Sequence, residues 1–144
     1  MCNEGPYRGS TKEPDFLFMI RGRLLPTVAV ECGWSESMPR LHNDLNILMV
    51  GGNGDIKVVI IIKWSKLTGN RVSGVAELYK CDRNGIPVIF PSDSTTVDQQ
   101  LVIKRRDLLG SGVHNPSGSL VLDLDTLRDF AIRALGRMGL MPAT

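Results

Sequence analysis

The chain has 144 residues, of which 42 % are hydrophobic and 22 % are charged, and its formal net charge is +2. This mixture is typical of one globular domain with its own core, and it excludes a chain that is disordered throughout. The 17 basic side chains nearly balance the 15 acidic ones, so overall charge alone gives no argument for nucleic-acid binding.

Cysteine spacing and the apolar runs predict an intracellular protein, either cytoplasmic or nuclear. Cys2, Cys32 and Cys81 are odd in number and widely spaced, which fits neither a disulfide framework nor a zinc-binding pair. Free thiols favour a reducing compartment. Residues 1–10 lack the apolar core of a signal peptide, and the longest apolar run, Ile56–Ile62, is too short to cross a membrane.

Residues 1–13 are predicted to form a polar tail, followed by a single domain over residues 14–142. The first strand is predicted over Asp15–Ile20, and a second strand, rich in β-branched residues, follows over residues 27–32. Ser37 then predicts the start of a helix, because serine caps free amides and the nearby proline suits a first helical turn. The apolar face of this helix recurs at three- and four-residue spacing over Leu41, Leu45, Leu48 and Met49.

The strongest predicted strand is Ile56–Trp64, which follows a glycine-rich helix stop at residues 51–54. Its nearly continuous apolar character predicts a central strand that is buried on both faces. Val72–Cys81 alternates as a further strand, and a turn at residues 82–85 predicts a return strand over Ile86–Phe90.

Shorter elements are predicted in the rest of the chain. Leu101–Lys104 reads as a short strand, and Leu120–Leu124 as either a strand or the lead-in to a helix. Polar loops are predicted at residues 93–99 and 108–119.

The final helix is predicted to begin at Asp125 or Thr126, either of which can cap it. Its predicted apolar face comprises Leu127, Phe130, Ala131, Ala134, Leu135 and Met138. The order of elements predicts an α/β domain with a mixed central β-sheet flanked by helices.

Two carboxylates stand at positions that the pattern predicts to be partly buried. Asp15 begins the first strand, and Glu31 lies near the end of the second. A carboxylate beside an apolar core must be solvated, paired or metal-bound, or it stays protonated. Two of them on neighbouring strands indicate a site for a hard divalent cation, Mg²⁺ or Mn²⁺.

The residues around these carboxylates resemble a known pattern. The chain reads Lys12-Glu13-Pro14-Asp15, then Pro26-Thr27-Val28, Glu31 and Gly33, then Ser35-Glu36-Ser37 and a helix. This resembles the restriction-endonuclease-like PD-(D/E)XK superfamily, and most closely Uma2-like proteins and poorly characterised fungal proteins similar to them. The resemblance implies a restriction-endonuclease-like fold, reduced at its N-terminus, and a nuclease-like hydrolase activity.

The resemblance also implies roles for individual residues. Asp15, Glu31 and the backbone carbonyl of Cys32 would be the metal ligands, and Ser35 and Ser37 would line the site.

The chain departs from the pattern at one position. Gly33 stands where the family has a lysine that activates water or stabilises the phosphate. In some relatives the following helix supplies that lysine. In this chain the corresponding helix position is Asp44, with Arg40 and His42 nearby. Lys63 on the next strand is a substitute if its side chain turns inward. The site is therefore predicted to be degenerate.

Three functions follow from these observations. The first is a metal-dependent phosphodiesterase acting on DNA or RNA. The second is an enzyme that transforms a small molecule, with Asp15, Glu31 or Glu36 as general acid and base. The third is a non-catalytic interaction module that forms a homodimer, because a sheet reduced at its N-terminus exposes an edge. No membrane partner is expected.

Structural explanations for the same residues stay open. Glu31 can form a buried ion pair with Arg21, Arg23 or Arg40. The Ser35–Ser37 segment can serve only to cap the helix, and Cys32 can be a packed free thiol. His42 and His114 have no metal-like spacing and are predicted to be surface residues.

Overall fold

The computed structural model describes residue 9 and residues 11–80, 88–90, 100–110 and 112–144. The predictions for Cys2, Cys81, the turn at 82–85 and the loop at 93–99 lie outside these residues. Among the helices that are described, none combines the length and the apolar character needed to cross a membrane.

Three α-helices and eight strands follow one another along the described chain, with a 3-10 turn at Thr68–Asn70. In chain order they are β1 (Phe16–Phe18), β2 (Val28–Gly33), α1 (Met38–Gly51), β3 (Val58–Lys66), β4 (Arg71–Tyr79), β5 (Val88–Phe90), β6 (Gln100–Lys104), α2 (Arg105–Leu109), β7 (Ser119–Asp123), α3 (Leu124–Arg137) and β8 (Met141–Pro142).

The main sheet is mixed, and its strand order is β1-β2-β3-β4-β5, with β8 also pairing with β4. Strand β2 runs parallel to β3, as expected for two strands joined through a helix, and β1 and β4 run antiparallel to their neighbours. Strands β6 and β7 form a separate antiparallel pair. The predicted class, an α/β domain with a mixed sheet, is confirmed.

The main sheet carries a hydrophobic cluster on each face. On one face, Leu41, Leu45 and Leu48 of α1 pack against Val59 and Ile61 of β3. The other face is covered by α3 and by the β6–β7 pair. Leu101 and Ile103 of β6 and Leu124 and Leu135 of α3 are buried in this cluster. Because β3 contributes to both clusters, it is buried on both faces, as its apolar sequence predicted.

Helix α3 begins earlier than predicted. The side chain of Asp123 accepts hydrogen bonds from the backbone amides of Asp125 and Thr126, so Asp123 is the cap. The helix buries Leu124, Arg128 and Leu135. The predicted face was wrong in part, because Phe130 is 61 % exposed and Ala134 and Met138 are also exposed.

Two local predictions also need correction. The loop predicted over residues 108–119 was wrong at its start, because Leu108 and Leu109 belong to the helical turn α2, which ends at Gly110 with a φ of 83°. Ser37 does occupy the N-cap position of α1, but its side chain makes no capping hydrogen bond.

Candidate functional site

Glu31 lies in a polar row that crosses the middle of the sheet. Its Cα partner on β3 is Ile61, and the partner of Ile61 on β4 is Glu77. Paired residues point to the same face, so both glutamates lie on the face that α1 covers. Glu31 is 2 % exposed and Glu77 is 5 % exposed. Two carboxyl groups are thus buried on either side of one isoleucine.

Lys12 is the partner of Glu31. Its Nζ lies 2.9 Å from Oε2 of Glu31 and 2.9 Å from Oδ2 of Asp44 on α1. The side chain of Lys12 is 26 % exposed, so the ion pair is largely shielded from water. The buried ion pair predicted from the sequence exists, but its cation is Lys12 and none of the three arginines considered.

The second carboxylate oxygen of Glu31 differs from the first in its surroundings. Oε1 is buried and makes no hydrogen bond to any of the described residues. Burial is the largest influence on this carboxyl and raises its pKa, with further increases from the charges of Asp15 and Asp44; Lys12 opposes the shift. The pKa of Lys12 is also raised: burial lowers it, but the bonds to Asp44 and Glu31 outweigh that effect.

Asp15 lies opposite Glu31 at the junction of β1 and β2, because the antiparallel register pairs Phe16 with Val30. Its Oδ2 accepts a hydrogen bond of 2.7 Å from the backbone amide of Cys32. The strands therefore bring Asp15 and Glu31 to the same end of the sheet, as predicted. Cys32 has a free thiol and is exposed, so its prediction as a packed thiol was wrong.

Gly33 lies directly under a side chain of helix α1. A Cβ at this position would lie 2.7 Å from Cδ1 of Leu41, a side chain of α1 that is fully buried. A side chain here would have to push the helix residue aside. The Cα partner of Gly33 on β3 is Lys63, whose ammonium donates to the backbone oxygens of Trp34, at 3.0 Å, and Trp64, at 2.6 Å.

The segment between β2 and α1 lies at the solvent. Ser35 and Ser37 are exposed. The carboxylate of Glu36 pairs with the guanidinium of Arg40 at 3.2 Å, one helical turn later. The hydrogen bonds of the described residues therefore connect none of these three predicted site residues to Glu31.

A second polar cluster lies on the other side of α1. Nε2 of His42 is 2.8 Å from Oε2 of Glu77 and 3.0 Å from the hydroxyl of Tyr79, which also donates to Glu77. The rings of His42 and Tyr79 meet edge to face at 5.9 Å. His42 was predicted as a surface residue, and its side chain is 37 % exposed, but the prediction missed its contact with the buried Glu77. The sequence feature that could have indicated this cluster is Glu77, a glutamate within the apolar run of β4.

The residues around Glu31 meet some requirements of a divalent cation. Among the described residues, no group of three or more histidine, cysteine or acidic side chains is arranged to hold a metal. Yet Glu31 has a free buried oxygen, and the ammonium of Lys12 already places a positive charge between Glu31 and Asp44. Mg²⁺ keeps several waters and needs only one or two protein carboxylates. Glu31 and Asp44 would therefore hold such an ion only in place of the Lys12 ammonium that now joins them.

Two cavities lie near these clusters. One of about 290 Å³ separates α1 from the β1 region and has Lys12 and Glu13 on its wall, together with apolar side chains that include Leu17 and Met19. Another of about 450 Å³ lies on the opposite face of the sheet, between β3 and α3. Only the first adjoins the Glu31 cluster, through Lys12.

No protein-family model matches this chain, and no curated protein or solved structure matches it either. The function must therefore be argued from the residues and their geometry.

Proposed function

We propose that this chain is a metal-dependent phosphodiesterase with a degenerate site of the restriction-endonuclease-like kind. The observation that carries the proposal is the buried carboxyl group of Glu31, which has one oxygen on a cation and the other without a partner among the residues that the structure describes. A buried carboxylate oxygen that lacks a hydrogen-bond donor is costly for folding. Its presence at a strand end, opposite Asp15, favours a role in binding a cation.

Glu31 would anchor Mg²⁺ or Mn²⁺, and Asp15 would contribute from the neighbouring strand together with the carbonyl of Cys32. A bound metal of this kind polarises a phosphate oxygen and lowers the pKa of a bound water. Ser35, Glu36 and Ser37 lie at the exposed side of the site, where a substrate would approach.

Lys63 is the best candidate for the missing motif lysine. It is paired with Gly33, so its backbone lies one strand away from the position that the motif lysine would occupy. Its ammonium donates hydrogen bonds to two backbone carbonyl oxygens, so moving it toward a phosphate would break these hydrogen bonds but no ion pair. Lys66 and Arg71 lie further along the same end of the sheet and would extend a positive surface for a phosphate backbone.

Calorimetric titration with Mn²⁺ tests this proposal on the native chain, Glu31→Gln and Asp129→Asn. Asp129 is an exposed acidic residue of α3, so its variant is a matched control for the lost charge. Binding that only Glu31→Gln abolishes supports the proposal, and cleavage assays with DNA and RNA follow. If millimolar Mn²⁺ binds neither to the native chain nor to a variant without Lys12, the phosphodiesterase proposal is wrong.

A small-molecule enzyme is the second candidate, and the cavity beside Lys12 favours it. Burial raises the pKa of Glu31, which suits a carboxyl that carries and transfers a proton, with Asp15 or Glu36 as its counterpart. The cavity of about 290 Å³ is mostly apolar, as small-molecule sites are. A ligand that raises the melting temperature of the native chain in the presence of a chelator, but not that of Glu31→Gln, would favour this candidate.

A homodimer is a third candidate, supported by the edge of the sheet. Strand β1 pairs with β2 on one side, and its side chains Phe16, Leu17 and Phe18 are exposed. Leu24, in the connection to β2, is 95 % exposed. A second copy that adds across β1 would cover these residues. Light scattering at micromolar concentration distinguishes a dimer from a monomer.

The free thiol of Cys32 fits an intracellular, reducing environment.

A further inference from the structure

We infer that the cavity of about 450 Å³ on the sheet face opposite Glu31 is a binding site for an uncharged, apolar small molecule. Its walls come from strands β2 and β3, from the β6–β7 pair and from helix α3. The site lies apart from the carboxylates of the proposed function and does not depend on them.

The hydrophobic cluster on this face becomes less complete along the two central strands. Val28 and Val58 are Cα partners near the start of β2 and β3, and they are 4 % and 0 % exposed. Further along the same strands, Val30 and Ile62 are only partly buried, and both line the cavity. Alternate residues of a strand point to the same face, so all four would be buried if the cluster were filled to its end. The cavity is the space that the cluster leaves open.

The size of the cavity suits a small ligand. Pockets that bind small molecules measure about 300–1,000 Å³, and the volume of about 450 Å³ lies within that range. Apolar side chains that face a gap lose dispersion contacts, and an apolar molecule in the gap restores them. Leu122 and Phe130 on the wall are 37 % and 61 % exposed, so the cavity opens to the solvent and a ligand can enter.

The wall selects for a ligand without charge. Among the described residues that line the cavity, every side chain is aliphatic or aromatic except those of Asp123 and Thr126. Both of these are already bonded at the start of α3, where the Asp123 carboxylate accepts from the Thr126 hydroxyl and from the backbone amides of Asp125 and Thr126. A charged ligand would lose its hydration and find no basic residue on this wall, whereas an uncharged apolar molecule has neither cost.

Fluorescence titration with N-phenylnaphthylamine, an uncharged apolar dye, tests the site on the native chain, Leu122→Gln and Leu120→Gln. Leu122 lines the cavity and Leu120 does not, but both lie on β7 and are 37 % and 42 % exposed, so the two variants are matched. We expect Leu120→Gln to bind the dye as the native chain does. Leu122→Gln should bind it about tenfold more weakly, because the new amide is a polar group on an apolar wall.

Competition identifies the class of ligand. Octanol should displace the dye from the native chain, and octanoate at the same concentration should not. Displacement by octanoate that equals displacement by octanol overturns the assignment of an uncharged ligand.

Three results overturn the site itself. One is a native chain that binds no dye, and another is equal dye binding by Leu122→Gln and Leu120→Gln. The third is a dimer in light scattering whose cavity excludes the dye, because a second copy then covers this face. Circular dichroism establishes that each variant is folded, and Leu127→Gln, on the α3 wall, replaces Leu122→Gln if the latter unfolds.

Discussion

A Cβ on Gly33 would lie 2.7 Å from Cδ1 of Leu41, so the side chain of Leu41 on helix α1 covers Gly33 on strand β2. Leu41 belongs to the hydrophobic cluster between α1 and the sheet and is fully buried. A side chain at position 33 would therefore require the Leu41 side chain to move within this cluster.

Gly33→Ala is expected to lower the free energy of unfolding by about 1–3 kcal/mol, because the added methyl group must displace Leu41. The loss should be smaller when Leu41→Ala is already present and has made room. Gly136→Ala is the control, since a Cβ on Gly136 meets no atom within 4 Å. Urea denaturation measures all these values. An equal cost of Gly33→Ala with and without Leu41→Ala would show that the two positions do not interact.

Lys12→Gln is expected to destabilise the protein at neutral pH by about 1–3 kcal/mol, because it leaves the Glu31 carboxylate buried without its cation. The partial exposure of Lys12 keeps the value below that of a fully buried ion pair. Urea denaturation beside Lys66→Gln isolates the effect of the lost pairing from that of the lost charge. Equal stability of the two variants would contradict the importance of the pair.

The stability of the native chain should fall with rising pH relative to Glu31→Gln. The folded protein holds a proton on Glu31 above the ordinary pKa of 4.5, where the unfolded chain has released it. Uptake of a proton on folding means that stability is lost as pH rises from 4.5 to the raised folded pKa. Urea denaturation over a pH series measures the difference between the two proteins. A difference that is constant or of opposite sign across this window would contradict a raised pKa.

His42→Ala is expected to cost about 1–2 kcal/mol, because it removes a hydrogen-bond partner from Glu77, which is almost fully buried. Asn43→Ala, an exposed neighbour on the same helix, is the control for helix propensity. Thermal and urea denaturation give the comparison. If both variants lose the same small amount, the cluster contributes little to stability.

Local patterns predicted most of the fold. The apolar run of β3 and the leucine spacing of α1 each identify an element and its buried face, because both signals depend on residues that are close in the sequence. The start of α3 was placed too late, since Asp123, Asp125 and Thr126 are all good caps and only the end of strand β7 decides among them.

The candidate site was predicted only in part. Asp15 and Glu31 are found together because each stands at a strand end. The bond from Lys12 to Glu31 and Asp44 joins residues that are far apart in the chain, and no local pattern encodes it. The same holds for His42 and Glu77, which meet only because α1 packs on the face of the sheet to which Glu77 points.

The titration of Glu31, followed by the ¹³C chemical shift of its carboxyl carbon, tests the central claim that Lys12 neutralises a buried Glu31. The midpoint in the native protein should lie above 4.5, and it should lie higher still in Lys12→Gln, because Lys12 is what opposes the shift caused by burial. A native midpoint at or below 4.5, with the same value in Lys12→Gln, would show that Glu31 is solvated and that Lys12 does not hold it.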